Sequence, residues 1–507
     1  MQGIPASARV AVIGAGTMGS GIAQVAAMAG HRVVLHDASA EAVARGREAI
    51  AASLATLVSK GKLDQGHADD MLARIEPATT LESVADCGLV IEAVVEDRDV
   101  KRDLFLAIES LVGPDCILAS NTSSLSITEL AQGLGRPGRL VGMHFFNPAP
   151  RMALVEVVTG LRTDPAVAEC VVETAKAWGK APVLARSTPG FIVNRVARPF
   201  YGEAMRTLSE RACEPATLDA IVRECAGFAM GPCELMDLIG LDVNLLVTRS
   251  VFEATGFDRR YAPSLIQQEL VRAGRYGRKT GWGFYRYGEG AERPAPATEA
   301  PSGAPSPVRV VGEVGALGGL VDRLGKSGVA VERRSGPAVG HLELGAARLA
   351  LTDGRTATQR AAEEGVTDLV LVDLALDYGV APRLALARSA QCSAGAYAAV
   401  VATLGAAGFA LSPIDDIAGM VAMRTVAMLA NEAADLVAHG VASARDIDTA
   451  MRLGTSYPKG PLAWADALGA AEVARVLDHL RAHYGEDRYR VSPALQRLRW
   501  SGGRFHG

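Results

Sequence analysis

The stretch RVAVIGAGTMGSGIA, Arg9–Ala23, decides the reading of the fold. An apolar, β-branched run stops at Gly14, helix-forming residues take over after Gly19, and Gly14, Gly16 and Gly19 stand as G-x-G-x-x-G between them. The first glycine permits a tight turn, the second lets a pyrophosphate approach the backbone, and the third lets the helix pack close to the strand. A helix opening at this point turns free N–H groups and the positive end of its dipole toward phosphates. Ala15, Thr17 and Met18 complete the cradle. The next run, RVVLHD, ends at Asp37, where a carboxylate accepts from ribose hydroxyls and repels a 2′-phosphate. The pattern predicts a site for NAD rather than NADP.

Working outward, LVIEA (89–93), ILAS (117–120) and LVGM (140–143) recur at helical separations. That alternation predicts an α/β Rossmann-type domain over residues 1–187, a parallel sheet with helices on both faces. From 188 to 287 helical spacing replaces the strand runs, as in Phe200–Leu208 and Leu218–Cys225, and an all-α domain is expected. The segment RPAPATEAPSGAPSP, Arg293–Pro307, reads as an extended, solvated linker within residues 288–307.

Beyond the linker the chain repeats itself. APRMALVEVV from Ala149 recurs as APRLALARSA from Ala381, GFIVNR from Gly190 as GMVAMR from Gly419, and Tyr261–Leu265 has a counterpart near Tyr489–Leu495. A degenerate second copy is therefore expected: a nucleotide-binding-like domain over 308–415, opening on Val308–Val311 without the glycine motif, and a second all-α domain over 416–507.

A chain of 507 residues, 49% hydrophobic and 21% charged, fits several globular domains. Its 52 basic and 56 acidic residues leave a net charge of -4, which gives no field for nucleic acid or an anionic membrane, so an anionic ligand needs a local site. Seven cysteines without a C-x-x-C pair indicate neither a disulfide framework nor a zinc site, and a reducing cytoplasm is expected. The N-terminus lacks a signal-peptide pattern, and a soluble, unexported protein is expected.

Chemistry concentrates in SNTSSLSITEL (120–130) and GMHFFNPAPRMALVEV (142–157). His144 follows a predicted strand, and the ligand crevice of such sheets lies at the strands' carboxyl ends. Oxidising an alcohol to a ketone needs a base for the hydroxyl proton, and an imidazole titrating near neutrality suits both directions. A turn at Asn147-Pro148-Ala149-Pro150 that folds the next strand back brings Glu156 to the imidazole, where it fixes the tautomer. The bland alternatives are a hydrogen-bonded core histidine and an edge-facing glutamate.

In this order and spacing, GAGTMGSGIA, IEAVVED, SNTSSL, MHFFNP and GFIVNR resemble the NAD-dependent 3-hydroxyacyl-CoA dehydrogenases over residues 9 to 287. The whole chain resembles long forms of that family with a second C-terminal module, including those of phenylacetate catabolism. The resemblance implies NAD as cofactor, His144 as base, Glu156 as its partner, and Ser123 and Asn194 as groups that orient the reacting oxygen. It places Glu96, Lys101 and Asn121 at the cofactor, and Ser53, Lys60 and Asn147 at the acyl-CoA substrate. Ser123 as a helix cap, Asn194 as a bridge between helices and Lys60 as a solvated side chain stay open.

Aligning the repeats sets Leu376 on His144, Arg388 on Glu156 and Met423 on Asn194, so one active site per chain is expected. The second helical module is expected to pack on the first as an intrachain pseudo-dimer, with a further homo-oligomer left open. The implied reaction is oxidation of (S)-3-hydroxyacyl-CoA to 3-oxoacyl-CoA. Both 3-hydroxyadipyl-CoA and 3-hydroxybutyryl-CoA remain as substrates, and a non-catalytic NAD-binding scaffold or a lysine-based hydroxy-acid dehydrogenase as rivals. With the glycine loop opening at Gly14, no preceding hydratase domain is expected.

Overall fold

The computed structural model describes residues 2–507. Eight strands form the first sheet: β1 Arg9–Ile13, β2 Val33–His36, β3 Ile75–Ala78, β4 Cys87–Glu92, β5 Ile117–Ser120, β6 Leu140–Phe145, β7 Leu154–Thr159 and β8 Ala181–Arg186. Their order is β3-β2-β1-β4-β5-β6-β7-β8. The first six run parallel, and β7 and β8 run against them, because β6 and β7 pair antiparallel. Every residue of β6 is buried, as expected of a strand covered on both faces.

The helices begin where side chains satisfy their free N–H groups. Ser39 accepts from Ala42 N–H at 3.2 Å to open Ala40–Ser59, and Asp97 accepts from Asp99 and Val100 to open Arg98–Leu111. Thr17–Met28 opens on Gly16 with no side-chain cap, which leaves its first N–H groups for a ligand. The core on this helix's side of the sheet joins Val10, Val12, Ile22, Leu35, Ile91 and Met143.

The chain forms two compact units. One comprises the residues up to Arg195 together with His439–Thr455; the other comprises Val196–Ala438 and Ser456–Gly507. The helix Ala444–Thr455, although late in sequence, belongs with the first sheet: Arg186 N–H donates to Val441 O at 2.8 Å, and a Cβ on Gly454 would lie 2.7 Å from Leu154 Cδ2.

The second unit holds a seven-stranded sheet of β9 Val308–Val311, β10 Val331–Arg334, β11 His341–Leu344, β12 Ala347–Leu351, β13 Leu369–Val372, β14 Arg383–Arg388 and β15 Ala410–Pro413, ordered β10-β9-β11-β12-β13-β14-β15. Its last three strands repeat the register of the first sheet. His144 faces Glu156 across β6 and β7, and the matching pair across β13 and β14 is Asp373 and Ala385. This corrects the alignment on Leu376 and Arg388. The likeness of APRMAL to APRLAL suggests a three-residue shift, but the strand hydrogen bonds fix the pairing.

Within this unit the two helical modules pack reciprocally. Glu203 takes Arg488 at 2.6 Å and the Tyr489 hydroxyl at 3.0 Å, while Glu432 takes Arg260 at 2.9 Å and the Tyr261 hydroxyl at 2.5 Å. The Pro-rich stretch is extended and largely exposed, but it is tied down. Ala297 N–H donates to Thr217, Glu299 N–H to Leu411 O, and Ser306 N–H to Thr403. Among the described residues, no helix is long and apolar enough to cross a membrane.

Candidate active site

The glycine loop forms the first part of the site. Gly14 adopts φ +101° with its back against Ala93, where a Cβ would lie 2.5 Å from the carbonyl oxygen; a Cβ on Gly19 would lie 1.7 Å from Gly14 O. Both positions need glycine for packing. Gly16 differs: a Cβ there would meet nothing within 4 Å, so its space lies open in front of the helix Thr17–Met28. Asp37 accepts from Ala15 N–H at 2.9 Å through one oxygen and from Ser39 N–H at 3.1 Å through the other, which holds the carboxylate at the loop. An open cradle at a helix N-terminus with a carboxylate at its edge fits a dinucleotide whose ribose is not phosphorylated.

The second part is the dyad. The turn after β6, which includes a cis Asn147–Pro148 bond, returns the chain so that β7 places Glu156 opposite His144. His144 Nδ1 and Glu156 Oε2 are 2.6 Å apart, with His144 7% and Glu156 0% exposed. The other carboxylate oxygen accepts from Ile192 and Val193 N–H, each at 3.0 Å. Glu156 therefore ties the imidazole to the start of the helix Val193–Val196, which carries Asn194. With Nδ1 engaged, Nε2 is the nitrogen left to meet a substrate. Phe146 packs against the imidazole with ring centroids 4.5 Å apart.

The third part gathers around Glu96. Its Oε1 accepts from Thr122 Oγ1 at 2.7 Å, Ser124 Oγ at 2.9 Å and Ser123 N–H at 3.0 Å, and Lys101 lies 3.2 Å from Oε2. Burial works against its charge, but Lys101 and these donors outweigh burial and hold Glu96 below the usual carboxylate range. Asn194 Nδ2 reaches Ser123 O at 3.4 Å, and Asn121 Oδ1 accepts from Phe145 N–H at 2.8 Å, next to His144. The structure thus joins Ser123, Asn194, Glu96, Lys101 and Asn121 in one network beside the dyad. Ser53 is half-buried and Lys60 exposed, two turns apart along the same helix face, and Asn147 is exposed on its turn. None of these three is hydrogen-bonded to the dyad.

Sequence reasoning missed Glu92. It is fully buried at the end of β4 and accepts from Lys101 Nζ at 2.5 Å, Ser120 Oγ at 2.7 Å and Val94 N–H at 2.7 Å. A lone glutamate inside the apolar run LVIEA was the available signal, since a carboxylate is not buried without partners.

Comparison with known proteins agrees with this geometry. Residues 9–188 match the 3-hydroxyacyl-CoA dehydrogenase NAD binding domain, and residues 190–287 and 419–504 match the C-terminal domain of the same family. Residues 349–417 match a 3-hydroxybutyryl-CoA dehydrogenase reduced Rossmann-fold domain. The chain is 45% identical to the 3-hydroxyadipyl-CoA dehydrogenase of Escherichia coli (strain K12) over 96% of each chain. It superposes on a crystal structure of 3-hydroxybutyryl-CoA dehydrogenase from Escherichia coli K12 with a TM-score of 0.89 at 43% identity, covering 98% of this chain and 99% of that one. Human mitochondrial hydroxyacyl-coenzyme A dehydrogenase is 40% identical over 55% of this chain and 90% of its own. The chain belongs to the 3-hydroxyacyl-CoA dehydrogenase family. It is an NAD-dependent oxidoreductase of the long form, in which a second sheet and helical module follow the first.

Proposed function

We propose that this enzyme oxidises (S)-3-hydroxyacyl-CoA to 3-oxoacyl-CoA with His144 as the base, and that 3-hydroxyadipyl-CoA is among its substrates. The observation that carries the chemistry is the buried 2.6 Å contact between His144 and Glu156, beside a glycine loop with open space at Gly16. Bound NAD supplies the acceptor for the hydride that leaves C3. His144 Nε2 takes the hydroxyl proton, and Glu156 holds the Nδ1–H tautomer and stabilises the imidazolium that forms. In the reverse direction the same imidazolium returns the proton to the ketone oxygen. Ser123 and Asn194 orient the reacting oxygen, and Glu96, held ionised by Lys101, keeps the Ser123 loop in place. Ser53, Lys60 and Asn147 are assigned to the CoA thioester, where a lysine suits the phosphates.

Similarity along both halves to a relative named 3-hydroxyadipyl-CoA dehydrogenase supports the acyl assignment, and we infer from it a role in phenylacetate catabolism. A second reading, 3-hydroxybutyryl-CoA, is favoured by the name of the superposed structure. NADH oxidation with 3-oxoadipyl-CoA and with acetoacetyl-CoA separates the two: a higher kcat/KM for acetoacetyl-CoA overturns the dicarboxylic assignment. NADPH in place of NADH is expected to lose most activity, because Asp37 repels a 2′-phosphate. We also infer a cytoplasmic enzyme that meets neither nucleic acid nor membrane, in which the reciprocal helical modules form a pseudo-dimer within one chain. A truncation after Pro307 that leaves a soluble, fully active monomer contradicts that last reading, and loss of activity or of solubility on that truncation supports it.

A further inference from the structure

The helix Ala444–Thr455 comes from the second half of the sequence, yet it packs on β7 and β8 of the first sheet. In its last turn, Gly454 stands against three residues, each of which belongs to a support of the dyad. A Cβ on Gly454 would lie 2.7 Å from Leu154 Cδ2, 3.2 Å from Val193 Cγ2 and 3.6 Å from Phe146 Cε1. Leu154 is two residues before Glu156, on the same face of β7. Val193 gives its N–H to Glu156, and the Phe146 ring packs on the His144 imidazole with centroids 4.5 Å apart. Phe191 meets the same imidazole edge-on at 6.1 Å. Glycine is a poorer helix residue than alanine, so what position 454 gains from it is the missing side chain.

The internal repeat shows what that space serves. With Asp373 in the place of His144, Phe146 falls on Ala375 and Gly454 on Cys225. Cys225 takes the matching position at the second sheet: its thiol donates to Leu374 O at 3.2 Å, and its carbonyl accepts from Leu376 N–H at 2.9 Å. Where the histidine is absent, a small alanine goes with a cysteine on the packed helix. Where the histidine is present, a large ring goes with a glycine. The two exchanges compensate in volume, as close packing requires.

We propose that Gly454 is a positioning residue for the active site of the first half: by leaving its place empty, it lets Phe146 pack on His144 and hold the imidazole for proton transfer. The second half of the chain, which lacks the histidine, thereby completes the site of the first. A ring over the imidazole restricts its rotation and attracts the positive charge that forms on it. The inference rests on the reading of His144 as the base.

Steady-state NADH oxidation by the full-length protein at saturating 3-oxoacyl-CoA tests this, with NADH affinity and melting temperature measured on the same preparations. Gly454→Cys, which installs the residue of the second site, is expected to lower kcat by about tenfold or more with NADH affinity within about twofold of wild type. Phe146→Ala is expected to lower kcat by a similar factor. The double variant reproduces the pair Cys225 and Ala375. It is expected to regain the melting temperature lost in Gly454→Cys, while its kcat falls no further than in Phe146→Ala alone. Gly454→Ala adds one carbon and serves where the cysteine variant does not fold; a smaller loss of kcat is expected. A kcat within about twofold of wild type in both Gly454 variants, or losses that multiply in the double variant, overturns the proposal. His144→Gln keeps the two readings apart. Turnover retained there removes the base and this proposal with it, whereas turnover lost there but kept in Gly454→Cys removes this proposal alone.

Discussion

At the scale of single residues, Glu156 does two things with two oxygens. One faces His144 and the other accepts the N–H groups that open the helix carrying Asn194. Glu156→Gln keeps an acceptor for Ile192 and Val193 only if its NH₂ faces the imidazole, which then adopts the wrong tautomer. A fall in kcat of about 10²-fold or more is expected with a nearly unchanged melting temperature, checked by steady-state kinetics and calorimetry. The glycines make a matching contrast. Gly16→Val places its side chain in open space, so stability is retained while NAD affinity drops more than about tenfold, read by NADH fluorescence titration. Gly19→Val drives a side chain into Gly14 O and is expected to unfold the loop itself.

At the scale of elements, the second half shows which job of Glu156 the fold needs. Asp373 sits where β6 has His144, and its carboxylate accepts from Val421 and Ala422 N–H at 2.9 and 2.7 Å, with Met423 N–H at 2.9 Å on the other oxygen. The helix-opening anion has moved one strand over, and the base has gone. Asp373→Ala strips three buried N–H groups of their acceptor and is expected to cost about 2–4 kcal/mol, measured by urea denaturation, with kcat per folded enzyme unchanged. This swap was not legible in the sequence, because strand register is set by hydrogen bonds between distant segments and a local likeness misplaced it by three residues. The glycine loop, the dyad and the NTSS turn were legible because each occupies a short run with fixed spacing. Strands β3 and β8 were missed: β3 has a proline and lies at the sheet edge, and β8 alternates exposed with buried residues at the other edge. Glu92 was passed over because its partners, Lys101 and Ser120, come from other elements.

For the molecule as a whole, the two helical modules are held by buried ion pairs that repeat under the internal symmetry. Burial opposes the charge of Glu203, yet Arg488 and Arg424 beside it bring its carboxyl down to about 2. A folded-state pKa below the unfolded value means stability that is present above the usual carboxylate range and lost as pH falls through about 4.5 toward 2. A loss of about 3 kcal/mol from this group is expected across that window. Urea midpoints measured from neutral to acid pH check it, and Glu203→Gln is expected to flatten the acid slope while lowering stability at neutrality by about 3–5 kcal/mol.

In the proposed mechanism one histidine, His144 in the first half of the chain, moves the proton of this reaction. Its most direct test compares wild type with His144→Gln in NADH oxidation at saturating 3-oxoacyl-CoA, with NADH affinity measured on the same preparations. A fall in kcat of about 10²–10⁴-fold is expected, with NADH affinity within about twofold of wild type. Turnover within about threefold of wild type would contradict it, because the proton would then have another carrier.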